Sequence, residues 1–216
     1  MTLTLTQAAE ARWLQAWTTG PTEKEGQGLP IGASAPDRTV LDHTGAPRAL
    51  SEFWTDRPAL IMFWRHFGCG CGRDRAARLK AEWVDYLDAG LNPVVIGQGE
   101  PARAAAYRRE QQLECPVLCD PLHVVYRAYG VGHWPVERIL FDAPPEYWEH
   151  SHDLGVGFQH DRRAQGRPLV DDPWRAVAEF VIGTDGRVQL PYLYQYCEDF
   201  PDARVLTTAV RRQRSA

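Results

Sequence analysis

In the stretch FWRHFGCGCGRD, residues 63–74, Cys69 and Cys71 stand one residue apart, between an apolar run and a charged segment with helical spacing. A cysteine does chemistry as its thiolate, the form that attacks peroxides and disulfides and ligates soft metals. Arg65, His66 and Arg73 flank the pair with donors and positive charge that favour the anion, and Gly68, Gly70 and Gly72 leave it little steric cover. Cys69 is the first candidate for nucleophile and Cys71 for its resolving partner, with the two roles open to exchange. His66 is the candidate donor to the sulfur and Arg73 the candidate cation. Alpha carbons two residues apart lie at about 5.5–7 Å, within reach of a disulfide whose small ring would be strained and so readily reduced.

A different chemistry is open to the same residues. A Cys-x-Cys pair beside His66 could hold a soft ion, Cu(I) or Zn(II), but two thiolates are too few without a further ligand or a second subunit. A redox-inactive scaffold, with an interaction surface in residues 143–173, is a third reading.

Three more cysteines follow. Cys115 and Cys119, in CPVLCDP, read as small buried hydrophobes on a short strand, on the order of 13 Å apart if extended. Cys197, in YQYCEDFPD, is an alternative resolving thiol, although Glu198 and Asp199 beside it would raise its pKa. His150, His152 and His160 show no repeated ligand spacing and read as surface residues.

The site needs elements to position it. Residues 58–64, PALIMFW, form a continuous apolar run, as expected of a central strand buried on both faces. Ala76, Leu79, Trp83, Tyr86 and Leu87 recur at helical spacing, predicting a helix over 73–89 that stops at Gly90. The two cysteines then fall between the C-terminal end of a strand and the first turn of a helix, where unpaired N–H groups and the helix dipole stabilise a thiolate. NPVVIG and CPVL read as further strands, and PARAAAYRREQQL and LHVVYRAYG as helices; this alternation implies a parallel α/β core. Thr184-Asp185-Gly186 marks a hairpin, and DARVLTTAVRR a closing helix with Asp202 as N-cap.

Outside this core lie residues 1–29, a helical arm at 6–18 followed by a Gly- and Pro-rich linker, and the polar segment 143–173, an insertion with room for one amphipathic helix. Residues 30–216 form the main domain. With 216 residues, a net charge of −4 and eight Trp, the chain suits one core, and nothing in it points to a nucleic-acid partner. The N-terminus does not read as a secretory signal, and no run reaches membrane-spanning length. The expected location is the cytoplasm, where five cysteines are more often reactive or buried than paired.

FWRHFGCGC, with GASAPDRTVLDHTGAPRALSEFW upstream and CPVLCDPLHVVYRAYGV and EFVIGTDGRV downstream, resembles the thioredoxin-fold alkyl hydroperoxide reductase/thiol-specific antioxidant (AhpC/TSA) group, in its peroxiredoxin-like branch. The resemblance covers roughly 30–142 and 174–212. It implies a thioredoxin-like α/β fold: a central mixed sheet flanked by helices, with the arm at one end and the helical or irregular insertion before the final hairpin. It also implies a thiol-dependent oxidoreductase, reducing peroxides or exchanging disulfides, that needs neither metal nor organic cofactor. A thioredoxin-like protein or a low-molecular-weight thiol would recharge it, and a homodimer would suit the arm. The sequence departs from the family at Gly72, where related chains carry a second cysteine, and at Met62 and His66, where typical peroxiredoxins carry Pro and Thr.

Overall fold

The computed structural model describes residues 5–213, and side chains except those of Glu146 and residues 211–213. Residues 1–4 of the arm and 214–216 of the main domain lie outside the described residues. In chain order the elements are α1 (Leu5–Thr19), β1 (Thr39–Asp42), β2 (Pro47–Ala49), β3 (Ala59–Phe63), α2 (Gly70–Ala81), α3 (Trp83–Asp88), β4 (Asn92–Gly97), α4 (Pro101–Glu110), β5 (Val117–Cys119), α5 (Val124–Ala128), α6 (Val136–Ile139), α7 (His152–Ala164), β6 (Ala178–Ile182), β7 (Val188–Leu193) and α8 (Ala203–Gln213).

The seven strands make one sheet in the order β2-β1-β5-β4-β3-β6-β7. Only β3, β4 and β5 run parallel; β1, β2, β6 and β7 join antiparallel, so the sheet is mixed and the parallel core is confined to its centre. All five residues of β3 are buried, and their side chains alternate between the faces. Ala59, Ile61 and Phe63 pack with Val94, Ile96, Phe180 and Tyr126 on one face. Leu60, Met62 and Trp64 pack with Ala76, Leu79, Tyr107 and Leu206 on the other.

Several boundaries differ from the sequence reading, each for a local reason. The helix expected over 73–89 begins earlier, with Cys69 as its N-cap, and breaks at Glu82 (φ −91°, ψ 1°), whose carboxylate takes Arg75, Arg78 and the Tyr86 hydroxyl. Strand β5 starts at Val117, after Pro116, so Cys115 precedes the strand rather than lying on it. Helix α5 starts at Val124 because the buried Asp120 carboxylate accepts the N–H groups of Val124, Val125 and Tyr126 at 2.9, 2.7 and 3.0 Å. Asp202 caps α8 as expected, accepting Arg204 N–H at 2.8 Å. Among the described residues, no helix is long and apolar enough to cross a membrane.

Candidate active site

The chain leaves β3 at Phe63 and is held at every step to Cys69. Trp64 N–H bonds the Ile96 carbonyl at 2.9 Å, and the Tyr126 hydroxyl donates to the carbonyls of Trp64 and Ile96. The buried Gln98 amide donates to the Arg65 carbonyl, and Cys69 N–H closes a turn onto the His66 carbonyl at 3.0 Å. A side-chain carbon at residue 68 would sit 2.9 Å from Leu169, and one at residue 72 would sit 3.1 Å from the Tyr107 hydroxyl. Both glycines therefore answer to close packing.

Three cysteines meet at this point. The sulfurs of Cys69, Cys71 and Cys197 all lie within 4.8 Å of one another, and all three residues are buried. Cys197 arrives on the connection between β7 and α8, a segment that Asp199 shapes by accepting the Tyr192 hydroxyl at 3.0 Å and Gln195 N–H at 2.8 Å. Position along the chain could not announce this; only the antiparallel return of β6 and β7 brings it over the start of α2.

The three thiols titrate unequally. Hydrogen bonds from Cys197 and then from Cys71 hold the Cys69 sulfur well below the ordinary thiol range, with the Arg65 guanidinium assisting against the cost of burial. As donors, Cys71 is driven well above that range and Cys197 is pushed up to about 12. Glu198 and Asp199 are not the cause of the Cys197 shift, which follows from its bond to Cys69. Of the three sulfurs, Cys69 is the one whose surroundings favour the thiolate.

The cation at the sulfur is Arg65. Its Nη1 stands 3.5 Å from Cys69 Sγ and its Nη2 donates to the Pro173 carbonyl. Burial works against its charge, yet the Cys197, Cys69 and Cys71 sulfurs raise its pKa above the usual arginine value. Arg73 occupies the first turn of α2 with its side chain exposed. His66 is buried in the site, and burial followed by the Arg65 charge lowers its pKa to about 4, so the ring is neutral. Cys115 and Cys119 lie apart from the trio in the opposite core cluster, and burial pushes both up to about 12.

A cavity of about 210 Å³ opens beside the trio. Its polar side holds Arg65, His66, Cys69, Cys71, Arg162, Cys197 and Glu198; its apolar side holds Trp13, Trp17, Phe158, Leu169, Ile139 and Leu140. That apolar side comes largely from the arm and the insertion, segments that nothing in the local sequence ties to the cysteines. Trp17 lies stacked between Trp13 and Trp174, with ring centroids 5.6 and 5.0 Å away and planes 7° and 11° apart, and Phe158 of α7 meets it edge-on at 5.4 Å. Ser151 caps α7, and Arg163 pairs with the buried Glu10 of α1. The segment 143–173 packs inward as a lid. His150, expected at the surface, packs against Trp174 at 5.1 Å, whereas His152 and His160 are exposed.

The linker behind the arm is clasped to the core. His133 Nδ1 accepts N–H bonds from Thr22 and Glu23, both at 3.1 Å, which leaves its proton on Nε2 to donate to Asp172 at 2.8 Å. The buried Arg175 pairs with Glu23 at 2.7 Å and donates to His123 Nδ1 at 3.1 Å. His123 in turn donates through Nε2 to Gln98, the residue that holds the Arg65 carbonyl. Arm, insertion and cysteine loop therefore share one polar network.

The chain resembles known proteins in sequence and in fold. A model of the AhpC/TSA family matches residues 31–190. Over 154 residues the chain is 38% identical to the thioredoxin-like protein AAED1, chloroplastic, of Arabidopsis thaliana, a match covering 68% of this chain and 62% of that protein, so it spans about three fifths of that relative's length. Over 156 residues it is 24% identical to peroxiredoxin-like 2C of Bos taurus, covering 67% of this chain and 68% of that one. Among solved structures, a peroxiredoxin-like protein from Aquifex aeolicus aligns with a TM-score of 0.60 at 15% identity over 89% of this chain and 91% of its own. Peroxidoxin BcpB from Mycobacterium tuberculosis aligns with a TM-score of 0.59 at 18% identity over 87% and 97%. At these identities the structural likeness concerns the fold.

Proposed function

The chain belongs to the AhpC/TSA family, and from that premise we propose that it is a thiol peroxidase with Cys69 as nucleophile. The observation that carries this reading is the buried Arg65 guanidinium 3.5 Å from Cys69 Sγ, in a cluster where the sulfurs of Cys71 and Cys197 lie within 4.8 Å. The thiolate attacks one oxygen of a hydroperoxide; the S–O bond forms as the O–O bond breaks, and the departing alkoxide or hydroxide takes up a proton to leave as alcohol or water. Arg65 offsets the charge that passes to the departing oxygen. Neutral His66 lines the cavity as a polar contact for the substrate, and exposed Arg73 adds only a distant positive field.

The Cys69 sulfenic acid is then attacked by a second thiol, which expels water and forms a disulfide. Both Cys71 and Cys197 are close enough. The Cys69–Cys71 ring is strained and the Cys69–Cys197 bond is free of that constraint, so Cys197 is the resolving partner and Cys71 stands by for exchange. A small thiol, or a thioredoxin-like protein after the lid opens, returns the pair to thiols. Cys69 is only 8% exposed beneath the lid, which favours a small peroxide over a protein disulfide as the oxidising substrate. We place the protein in the cytoplasm on its thiol usage.

The test is to treat the reduced protein with one equivalent of hydrogen peroxide, alkylate the remaining thiols and map them by mass spectrometry. A Cys69–Cys197 disulfide should form in wild type and in Cys71→Ser, and a trapped Cys69 sulfenic acid should appear once both partners are replaced. Oxidation that proceeds unchanged in Cys69→Ser, or thiols that stay alkylatable throughout, would remove this reading.

A further inference from the structure

We propose that Cys69, Cys71 and Cys197 of the reduced protein together bind one Zn2+ ion, and that the bound ion holds the nucleophile inactive. The inference goes beyond the peroxidase reading, for it concerns the resting state of the same sulfurs. Two thiolates at 69 and 71 fall short of a metal site. Cys197 is the missing third ligand, brought in from the far end of the chain so that all three sulfurs lie within 4.8 Å of one another.

Zinc–thiolate bonds are about 2.3 Å long, which sets the sulfurs of one coordination sphere about 3.8–4.0 Å apart. Sulfurs within 4.8 Å of one another need an adjustment of at most about an ångström, available to side chains whose backbones already converge. Charge favours a divalent ion. Three thiolates and one Zn2+ carry a net charge of −1, and Arg65, buried with its Nη1 against Cys69, carries +1. The cluster would therefore be neutral where an uncompensated charge is costly. A monovalent soft ion would leave one negative charge unbalanced. The fourth position of the ion would face the cavity, whose lining brings His66, Glu198 and Arg162 together with Trp13, Trp17 and Leu169.

On binding, the ion takes a lone pair from each sulfur, and the protons still on the thiols go to solvent. No electron is transferred. A zinc-bound Cys69 keeps its lone pair on the metal and cannot attack a peroxide oxygen at the same rate, so zinc release and catalysis are linked.

The experiment uses the full reduced chain and zinc chloride alone. After one equivalent of zinc and desalting, wild type should retain one ion per chain, and Co2+ in place of zinc should give thiolate-to-metal charge-transfer absorption of the strength of three sulfur ligands. Cys197→Ser and Cys71→Ser should each weaken retention by about 100-fold or more. The double variant His152→Gln, His160→Gln, which removes two exposed histidines, should retain zinc as wild type does. Circular dichroism identifies any variant that fails to fold, and Cys71→Ala serves as the second test of the trio. Loss of zinc from wild type on desalting, or equal retention by the cysteine variants, overturns the proposal. Metal retention is read without peroxide, so it can fail or stand independently of the peroxidase reading. With zinc bound, peroxide-driven disulfide formation should slow by about tenfold or more and recover with a chelator.

Discussion

Arg65 is the residue on which the chemistry of Cys69 turns. Its guanidinium keeps one face on the sulfur because the other is committed to the Pro173 carbonyl and its own carbonyl is held by Gln98. Removing the charge should raise the Cys69 pKa, since the remaining donors must then hold the anion in a buried site alone. Arg65→Met should therefore move the pH midpoint of thiolate formation upward, read by ultraviolet absorbance of the thiolate. It should also slow peroxide reaction at neutral pH on the order of 10²-fold. In wild type the thiolate is present well below the ordinary thiol pKa of about 8.5. His66, with its pKa lowered to about 4, stays neutral from there upward, so the rate profile should show no inflection near the usual histidine value of about 6.5. An inflection there that disappears in His66→Gln would show that the ring titrates and contradict this account.

At the scale of elements, the arm α1 and the insertion helix α7 pack on each other and on the loops beside the site. They meet over an apolar cluster of Trp13, Trp17, Trp174, Val136, Leu140 and Leu169, against which Leu154 and Phe158 of α7 pack, and Ile139 links it to one of the two clusters that sandwich the sheet. Truncating a buried indole costs about 3–5 kcal/mol where the surroundings cannot collapse. In Trp17→Ala that loss should fall on the lid, releasing α1 and α7 before the sheet unfolds. The expected outcome is faster amide exchange confined to residues 5–19 and 152–164, together with faster alkylation of Cys69. The linker offers an independent route to the same state: a Cβ at Gly132 would clash with the Lys24 carbonyl, so Gly132→Ala should push the linker off and expose the same sulfur. Unchanged alkylation in both variants would show that the lid does not limit access.

For the whole molecule, the question is what ties the cysteine-bearing helix to the sheet. Arg75 of α2 forms a bidentate pair with Glu179 of β6 at 2.7 and 3.1 Å, both groups are buried, and Glu82 and the hydroxyls of Tyr86 and Tyr194 extend the network. Such a pair contributes little net stability against an apolar replacement, but breaking it strands a charge. Arg75→Met alone should lower unfolding stability by about 3–5 kcal/mol, whereas Arg75→Met with Glu179→Leu should recover most of the loss. Chemical denaturation of the three proteins decides this; equal stability of the single and double variants would mean that Glu179 is not stranded.

Much of this protein is determined by local sequence. The apolar run 58–64 becomes β3, the alternation of strands and helices becomes the α/β core, and Cys69 and Cys71 fall at a helix start because strand and helix periods change between residues 63 and 73. These follow from patterns that short stretches of chain carry in full. The tertiary structure alone decided that Cys197 joins the pair, that Arg65 rather than Arg73 meets the sulfur, and that the arm and insertion close over both. Each of those depends on contacts between residues more than a hundred positions apart, or on which way one side chain is turned by a hydrogen bond from a distant element. No periodicity encodes such contacts, because they exist only once the sheet has brought its ends together.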